Sequence, residues 1–196
     1  MARTFLYFAY GSNLLAKRLL LKNPTAQFLH TARLDDYRLT FDSPRATHTM
    51  PWAGAPATIR RCPGSCVWGV IWQLDMADSD NLDSMNHNGC DLPSELDMAD
   101  SDNLDMQEVF YQRRTVTVTT PDGTTYTCRT YELDGEFDIS HTPSPQYKDV
   151  IVRGAKQSGL PQAYISQLEA IEDNGFQGEI QVYNTLICQL EKQQQQ

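Results

Sequence analysis

The residues Tyr10–Asn13 form a polar turn of a type that suits a carboxylate or an oxyanion. They follow Thr4–Tyr10, a short apolar run rich in aromatic residues that is typical of a buried strand. They precede Leu14–Leu21, a run of strong helix formers. A strand, a turn and a helix start in succession leave backbone N–H groups free, and such groups favour a bound anion or a developing negative charge.

Within this turn, Gly11 is expected to allow a positive φ, and Ser12 or Asn13 is expected to cap the helix that follows. Ser12 lacks the surroundings of a hydrolase nucleophile, because the G-x-S-x-G elbow is absent and no histidine lies in a recognisable partner motif. The histidines are His30, His48, His87 and His141. On these residues alone, a plain connecting turn remains the alternative.

Length and composition fit one globular domain with a core of its own. The chain has 196 residues, of which 40% are hydrophobic and 21% are charged. No apolar run approaches the roughly 20 residues that a membrane span needs, and the turn Tyr10–Asn13 interrupts the apolar stretch near the start. We therefore expect no signal peptide, no membrane partner and a cytoplasmic location.

The charge and the cysteines argue against two further classes of protein. The formal net charge is −9, which argues against nucleic acid as a partner. Cys62 and Cys66 have no second Cys/His pair at zinc-finger spacing, so we expect no metal site. Five cysteines without regular spacing predict free thiols in a reducing compartment. They are Cys62, Cys66, Cys90, Cys128 and Cys188.

Ten residues of an acidic segment occur twice. The sequence LDMADSDNLD fills Leu74–Asp83 and again Leu96–Asp105, and residues 74–105 hold ten acidic residues without a Lys or Arg. Two copies do not make a solenoid. A calcium loop is excluded because Leu82 and Leu104 stand where a third oxygen ligand belongs. We expect Leu74–Glu95 to project from the surface as a mobile acidic loop.

The remaining chain predicts a mixed α and β fold. The turn signal Pro121–Gly123 predicts a hairpin, in which Thr115–Thr119 alternates strictly and therefore buries one face. Ser144 and Pro145 predict the start of a helix that ends near Gly159. The strands are predicted at Ala32–Phe41, Ala57–Arg61, Val67–Trp72, Val109–Thr120 and Thr124–Leu133, and a second helix from Pro161.

The chain resembles the γ-glutamylcyclotransferase family in a series of stretches that share its order and spacing between Thr4 and about Asp173. They are Tyr7–Leu14, Ala32–Tyr37, Val67–Trp72, Cys128–Tyr131, Ser144–Lys148, Gly154–Lys156 and Gly159–Pro161. The resemblance implies one α+β domain over residues 1–180, a mixed, mostly antiparallel sheet or barrel with flanking helices. Residues 181–196 are then a C-terminal helix with a frayed tail.

The family's reaction converts a γ-glutamyl dipeptide into 5-oxoproline and a free amino acid, without metal or cofactor. The resemblance implies a metal-independent enzyme that binds a small γ-glutamyl peptide, and a homodimer by family analogy. It assigns substrate binding to Tyr7, Phe8, Ala9, Tyr10, Gly11 and Ser12. Tyr147 would close the pocket, and Asn13, Tyr111 and Tyr131 are candidates for its wall.

The family's proton acceptor is a glutamate in a Gln-Glu-Gly-Val stretch, which Gln107-Glu108 matches in its first half. Glu108 is therefore the predicted base, with Glu95 a distant second. The family's glycines are missing after Glu108, since Val109-Phe110-Tyr111 follows at once. Two alternatives stay open, namely a γ-glutamylamine cyclotransferase and a catalytically impaired ligand-binding or interaction protein with the same fold.

Overall fold

Five strands close into a small barrel. The computed structural model describes residues 3–42, 51–80, 82–83, 111–134 and 141–194. The barrel order is β1-β3-β2-β4-β5, and all neighbouring pairs are antiparallel except β1 with β5. The predicted α+β class with a mostly antiparallel barrel is confirmed. The strands are β1 (Thr4–Ala9), β2 (Gln27–Phe41), β3 (Ala57–Asp75), β4 (Tyr111–Thr119) and β5 (Thr125–Leu133).

Strand β3 corrects one prediction. The sequence predicts Ala57–Arg61 and Val67–Trp72 as separate strands. They belong to one strand, whose pairing with β2 is irregular between Asp35 and Tyr37. There Asp36 takes a φ of 62°, and its carboxylate accepts a hydrogen bond from the Gly64 N–H at 3.0 Å. The irregularity absorbs the residues that do not fit the pairing.

The hairpin between β4 and β5 follows its sequence pattern. Gly123 takes a φ of 86° in the turn, and the Asp122 carboxylate accepts from the Thr124 N–H at 3.1 Å. Val116 and Val118 are buried, while the neighbouring residues Thr115 and Thr117 are exposed. The predicted alternation is therefore confirmed, and one face of the hairpin contributes to the core.

Helices pack around the barrel. No described helix is both long enough and apolar enough to cross a membrane. Helix α2 starts as predicted, since the Ser144 hydroxyl oxygen accepts from the Tyr147 N–H at 3.1 Å, and it ends before Gly159, which has a φ of 68°. The helices are α1 (Ala16–Leu20), α2 (Pro145–Gln157), α3 (Gln162–Glu169) and α4 (Gln181–Gln194), with 3₁₀ turns at Ser12–Leu14 and Met76–Asp78.

The first copy of the repeat packs into the fold, which corrects the expectation of a solvated loop. Leu74 lies opposite Phe5 in the barrel, and both Leu74 and Leu82 are fully buried. The Asp78 carboxylate is also buried, and it accepts from the Thr25 N–H at 3.1 Å and from the Thr25 hydroxyl at 2.6 Å. Residues 84–110, which include the second copy, lie outside the described residues.

Candidate active site

A small cavity of about 40 Å³ lies at the turn that follows β1. Eight of the predicted site residues line it, together with Ala57, which the sequence did not single out. Phe8 and Ala9 are fully buried in β1 and are not among the lining residues. The lining residues are Tyr7, Tyr10, Gly11, Ser12, Asn13, Ala57, Tyr111, Tyr131 and Tyr147.

The turn itself differs from its prediction in detail. Gly11 has a φ of −109°, so a positive φ is not what the position requires. Neither Ser12 nor Asn13 caps a helix with its side chain, because both lie inside the 3₁₀ turn and α1 begins only at Ala16. The Ala16 N–H donates instead to the Gln157 side-chain oxygen at 3.1 Å. The turn is thus held by tertiary contacts and not by a local cap.

Asn13 joins the turn to the barrel wall. Its side-chain Nδ2 donates to the Tyr7 hydroxyl at 3.0 Å, and its backbone carbonyl accepts from the Trp72 Nε1–H at 3.2 Å. The side-chain Oδ1 is buried and has no hydrogen-bond partner among the described residues. The cavity therefore has an acceptor that a ligand could use, since a buried polar atom without a partner is costly.

Tyr147 lines the cavity beside the turn, where its hydroxyl interacts with Ser12. It stands in the first turn of α2, where the Ser144 cap holds the backbone, and its ring packs against Trp52 with centroids 5.0 Å apart. Its hydroxyl oxygen accepts from the Ala57 N–H at 3.3 Å. A Cβ added to Gly11 would lie 3.5 Å from this hydroxyl and 3.4 Å from the Ala57 Cβ. Glycine thus leaves the floor of the cavity open.

Three other tyrosines donate to fixed acceptors. The Tyr111 hydroxyl donates to the Ala57 carbonyl, and the Tyr10 hydroxyl donates to the Tyr131 carbonyl. The Tyr131 hydroxyl donates to the Asp83 carboxylate. Burial is the main cause that raises the pKa of all five hydroxyls in the cavity, so each stays protonated at neutral pH. They belong to Tyr7, Tyr10, Tyr111, Tyr131 and Tyr147.

Asp83 is a residue of this region that the sequence did not indicate. Its carboxylate lies 3.8 Å from the Arg129 Nη1 and 3.7 Å from the Arg113 Nη1. Arg129 also donates to the Ser79 hydroxyl at 2.9 Å, and its guanidinium lies 4.1 Å above the Phe5 ring. These partners are remote in sequence, and the acidic composition of residues 74–105 favoured a solvated loop.

Both predicted bases, Glu108 and Glu95, lie outside the described residues. Glu108 stands three residues before Tyr111, which begins β4 and lines the cavity. Within the described part of the chain, no group of three or more His, Cys, Asp or Glu residues could hold a metal ion.

Known proteins resemble this chain over most of its length. The γ-glutamylcyclotransferase of Bos taurus is 39% identical over 90% of this chain and 84% of its own length, and that of Mus musculus is 40% identical with the same coverage. The solved structure of a γ-glutamyl cyclotransferase has a TM-score of 0.77 at 36% identity, covering 94% of this chain and 98% of that one. A sequence model of the AIG2-like family matches residues 94–168. With this identity over nearly the whole length and the same fold, the chain belongs to the γ-glutamylcyclotransferase family.

Proposed function

We propose that the protein cyclises γ-glutamyl dipeptides, releasing an amino acid and leaving 5-oxoproline. The observation that carries this proposal is the tyrosine-lined cavity at the turn Tyr10–Asn13, in a chain about 39% identical to curated γ-glutamylcyclotransferases. A cavity of this kind suits a small zwitterionic amino-acid end, because hydroxyl and amide groups converge there among aromatic rings.

The reaction is an intramolecular acyl transfer. The substrate's α-nitrogen forms a bond to its γ-carbonyl carbon, and the amide bond to the leaving amino acid breaks. A base takes one proton from the α-ammonium, and the attacking nitrogen loses a second as the ring closes; both protons end on the leaving nitrogen, which departs as an ammonium. Catalysis requires a folded substrate, a base and donors for the oxyanion, and the nucleophile belongs to the substrate.

Glu108 is the proposed base. Since three residues span at most about 11 Å, chain connectivity keeps the Glu108 Cα within that distance of the Tyr111 Cα. Tyr111 lines the cavity, so the carboxylate has the reach to meet a ligand there. A base that takes a proton near neutral pH works best with a raised pKa.

The turn and Tyr147 are the proposed donors to the oxyanion and the substrate carboxylate. The Tyr147 oxygen accepts from the Ala57 N–H, and the hydroxyl also interacts with Ser12, so the hydroxyl and the turn lie next to each other. A hydroxyl and free N–H groups aimed at a developing negative charge in a desolvated cavity typically contribute several kcal/mol.

The substrate class, location and assembly are proposed on weaker support. The curated relatives' name and the Ser144–Lys148 stretch favour a γ-glutamyl-amino acid over a γ-glutamyl-amine. Cys62, Cys66, Cys128 and Cys188 are free, which fits a reducing cytoplasm. A homodimer, and absence of nucleic-acid and membrane partners, remain expectations.

The test is formation of 5-oxoproline from γ-glutamyl-alanine. We expect turnover by the wild type and a loss of at least about a hundredfold in kcat for Glu108→Gln, whose amide is nearly isosteric but does not accept the ammonium proton. Glu95→Gln is the matched control and should retain full activity. Retention of most of the rate in Glu108→Gln would remove Glu108 from the mechanism.

A second candidate function is binding without turnover. The observation that favours it is the loss of both family glycines between Glu108 and Tyr111. Calorimetric binding of γ-glutamyl-alanine by a wild type that forms no 5-oxoproline would support this candidate and overturn the proposed activity.

A further inference from the structure

The hydroxyls around the cavity differ in which hydrogen-bond capacity they leave for a ligand. A tyrosine hydroxyl has one proton to donate and lone pairs to accept. The Tyr131 and Tyr111 hydroxyls give their protons to groups that only accept, the Asp83 carboxylate and the Ala57 carbonyl. These two hydroxyls can therefore accept a hydrogen bond from a ligand through their lone pairs.

The Tyr7 and Tyr147 hydroxyls have the opposite arrangement. Tyr7 accepts from the Asn13 amide at 3.0 Å, and Tyr147 accepts from the Ala57 N–H at 3.3 Å. Both partners donate, so Tyr7 keeps its proton for a ligand, whereas the Tyr147 hydroxyl also interacts with Ser12. The cavity therefore offers a ligand a donor at Tyr7 and acceptors at Tyr111 and Tyr131.

This polarity matches the two ends of an amino-acid group. An ammonium has three N–H donors and needs acceptors, whereas a carboxylate or an oxyanion needs donors. One of the acceptors is Tyr111, three residues after the proposed base, so an ammonium held there is near Glu108 along the chain.

We propose that Asp83 is a positioning residue, which fixes the Tyr131 hydroxyl as the acceptor for the substrate's α-ammonium. The proposal rests on the cyclotransferase function proposed above and adds a residue that selects the orientation of the substrate. Asp83 acts through Tyr131, which lines the cavity with its ring 5.8 Å from that of Tyr7 and at 70° to it. Because a carboxylate only accepts hydrogen bonds, the Tyr131 proton stays on the bond to Asp83. The hydroxyl oxygen is then left to accept a hydrogen bond from the ammonium.

The contacts of Asp83 suit a positioning role. The preceding residue, Leu82, is fully buried and anchors the segment against the barrel. Arg129 and Arg113 lie within 3.8 Å of the carboxylate, so its charge is balanced in place. A hydrogen bond to an anion also polarises the Tyr131 O–H group, which makes its oxygen a better acceptor.

The test compares two ligands that differ only in the amino group. γ-Glutamyl-alanine has the α-ammonium, and glutaryl-alanine lacks it. Calorimetry measures both dissociation constants in a Glu108→Gln background, so that no bound dipeptide is consumed. We expect Asp83→Asn to weaken γ-glutamyl-alanine about tenfold, because the amide's NH₂ group competes for the Tyr131 lone pair, and to leave glutaryl-alanine unchanged.

The repeat supplies a matched control. Asp105 is the same residue at the same place in the second copy, and Asp105→Asn should change neither constant. Tyr131→Phe should show the same selective loss as Asp83→Asn, and adding Asp83→Asn to it should cause no further loss. Tyr131→Phe alone still tests the selective loss if Asp83→Asn folds poorly.

Three results would overturn the proposal. Equal weakening of both ligands would show that Asp83 only supports the fold. A full effect of Asp83→Asn in the Tyr131→Phe background would show that it does not act through Tyr131. Loss of binding in Asp105→Asn would assign the role to the second copy. Wild-type turnover, measured separately, tests the cyclotransferase function, and the binding comparison does not depend on its outcome.

Discussion

The turn after β1 and the segment after β3 make an instructive contrast. Each follows a buried strand and each is polar. Gly11–Asn13 line the cavity directly, whereas Asp83 only accepts from Tyr131, a residue of β5 that lines it. The sequence indicated the turn as a site, whereas it suggested a solvated loop for Leu74–Asp83. The two segments differ in where their partners lie along the chain.

The sequence features that identify the turn lie close together in the chain, whereas the hydrogen-bond partners of Leu74–Asp83 are distant in sequence. Glycine, aromatic residues and helix formers around Tyr10–Asn13 all fall within a few residues of one another. The donors to Asp78 and Asp83 come from Thr25 and Tyr131, which are 53 and 48 residues away. A run of acidic residues therefore predicts a solvent-exposed loop when only neighbouring residues are considered. Here the distant donors hold Asp78 and Asp83 within the fold.

The largest expected effect tests whether the first copy is part of the core. Leu82→Ala should lower the free energy of unfolding by about 2–5 kcal/mol, because Leu82 is fully buried and its truncation leaves a cavity. Leu104→Ala, the same change in the second copy, should alter it by less than about 0.5 kcal/mol. Urea denaturation of both variants measures the difference.

A small loss for Leu82→Ala that becomes large only in the Leu82→Ala/Leu104→Ala double variant would contradict this prediction. It would show that the second copy replaces the first in the same place, since both have the same ten residues.

A smaller effect on stability is expected at Asp78, whose carboxylate binds Thr25. Asp78→Ala should cost about 1–3 kcal/mol, because it leaves the Thr25 N–H and hydroxyl without their acceptor in a part-buried place. Asp100→Ala is the control in the second copy. Equal melting temperatures for the two variants would mean that the bonds to Thr25 contribute little to stability.

Much of the fold followed from the sequence because its patterns are local. The hairpin around Gly123, the Ser144 cap and the glycine end of α2 were all predictable from adjacent residues. The continuity of β3 was not, because it depends on Asp36 in another strand to accommodate Pro63 and Gly64. Most of the cavity wall was identified through the family resemblance, and Ala57 and Asp83 were missed because their roles depend on contacts made only in the folded chain.

A third prediction concerns Gly11, whose role is to leave space beside the Tyr147 hydroxyl and not to adopt a positive φ. Gly11→Val should weaken binding of γ-glutamyl-alanine about tenfold, which is about 1.4 kcal/mol, because its methyl groups extend beyond a Cβ already 3.5 Å from the Tyr147 hydroxyl. Gly11→Ala should have a smaller effect, since its φ is negative and its Cβ makes ordinary contacts. Calorimetry on both variants measures this. Unchanged affinity in Gly11→Val would mean that the ligand lies elsewhere.

No loss of stability is expected from the largest change, deletion of Leu74–Glu95. The deletion joins Gln73 to Leu96, so the second copy follows β3 with the same ten residues and can make the contacts that Leu82, Asp78 and Asp83 make now. It also shortens the connection to β4 from 27 residues to five, which lowers the entropy cost of closing it by about 1.5 kcal/mol. The free energy of unfolding should therefore stay the same or rise by up to about that amount, as a thermal melt of both proteins would show. Turnover should rise if the longer connection is what displaces Glu108, and should stay unchanged if the missing glycines limit the rate. A deleted chain that fails to fold would contradict the argument, because it would show that identical residues in the second copy do not replace the first.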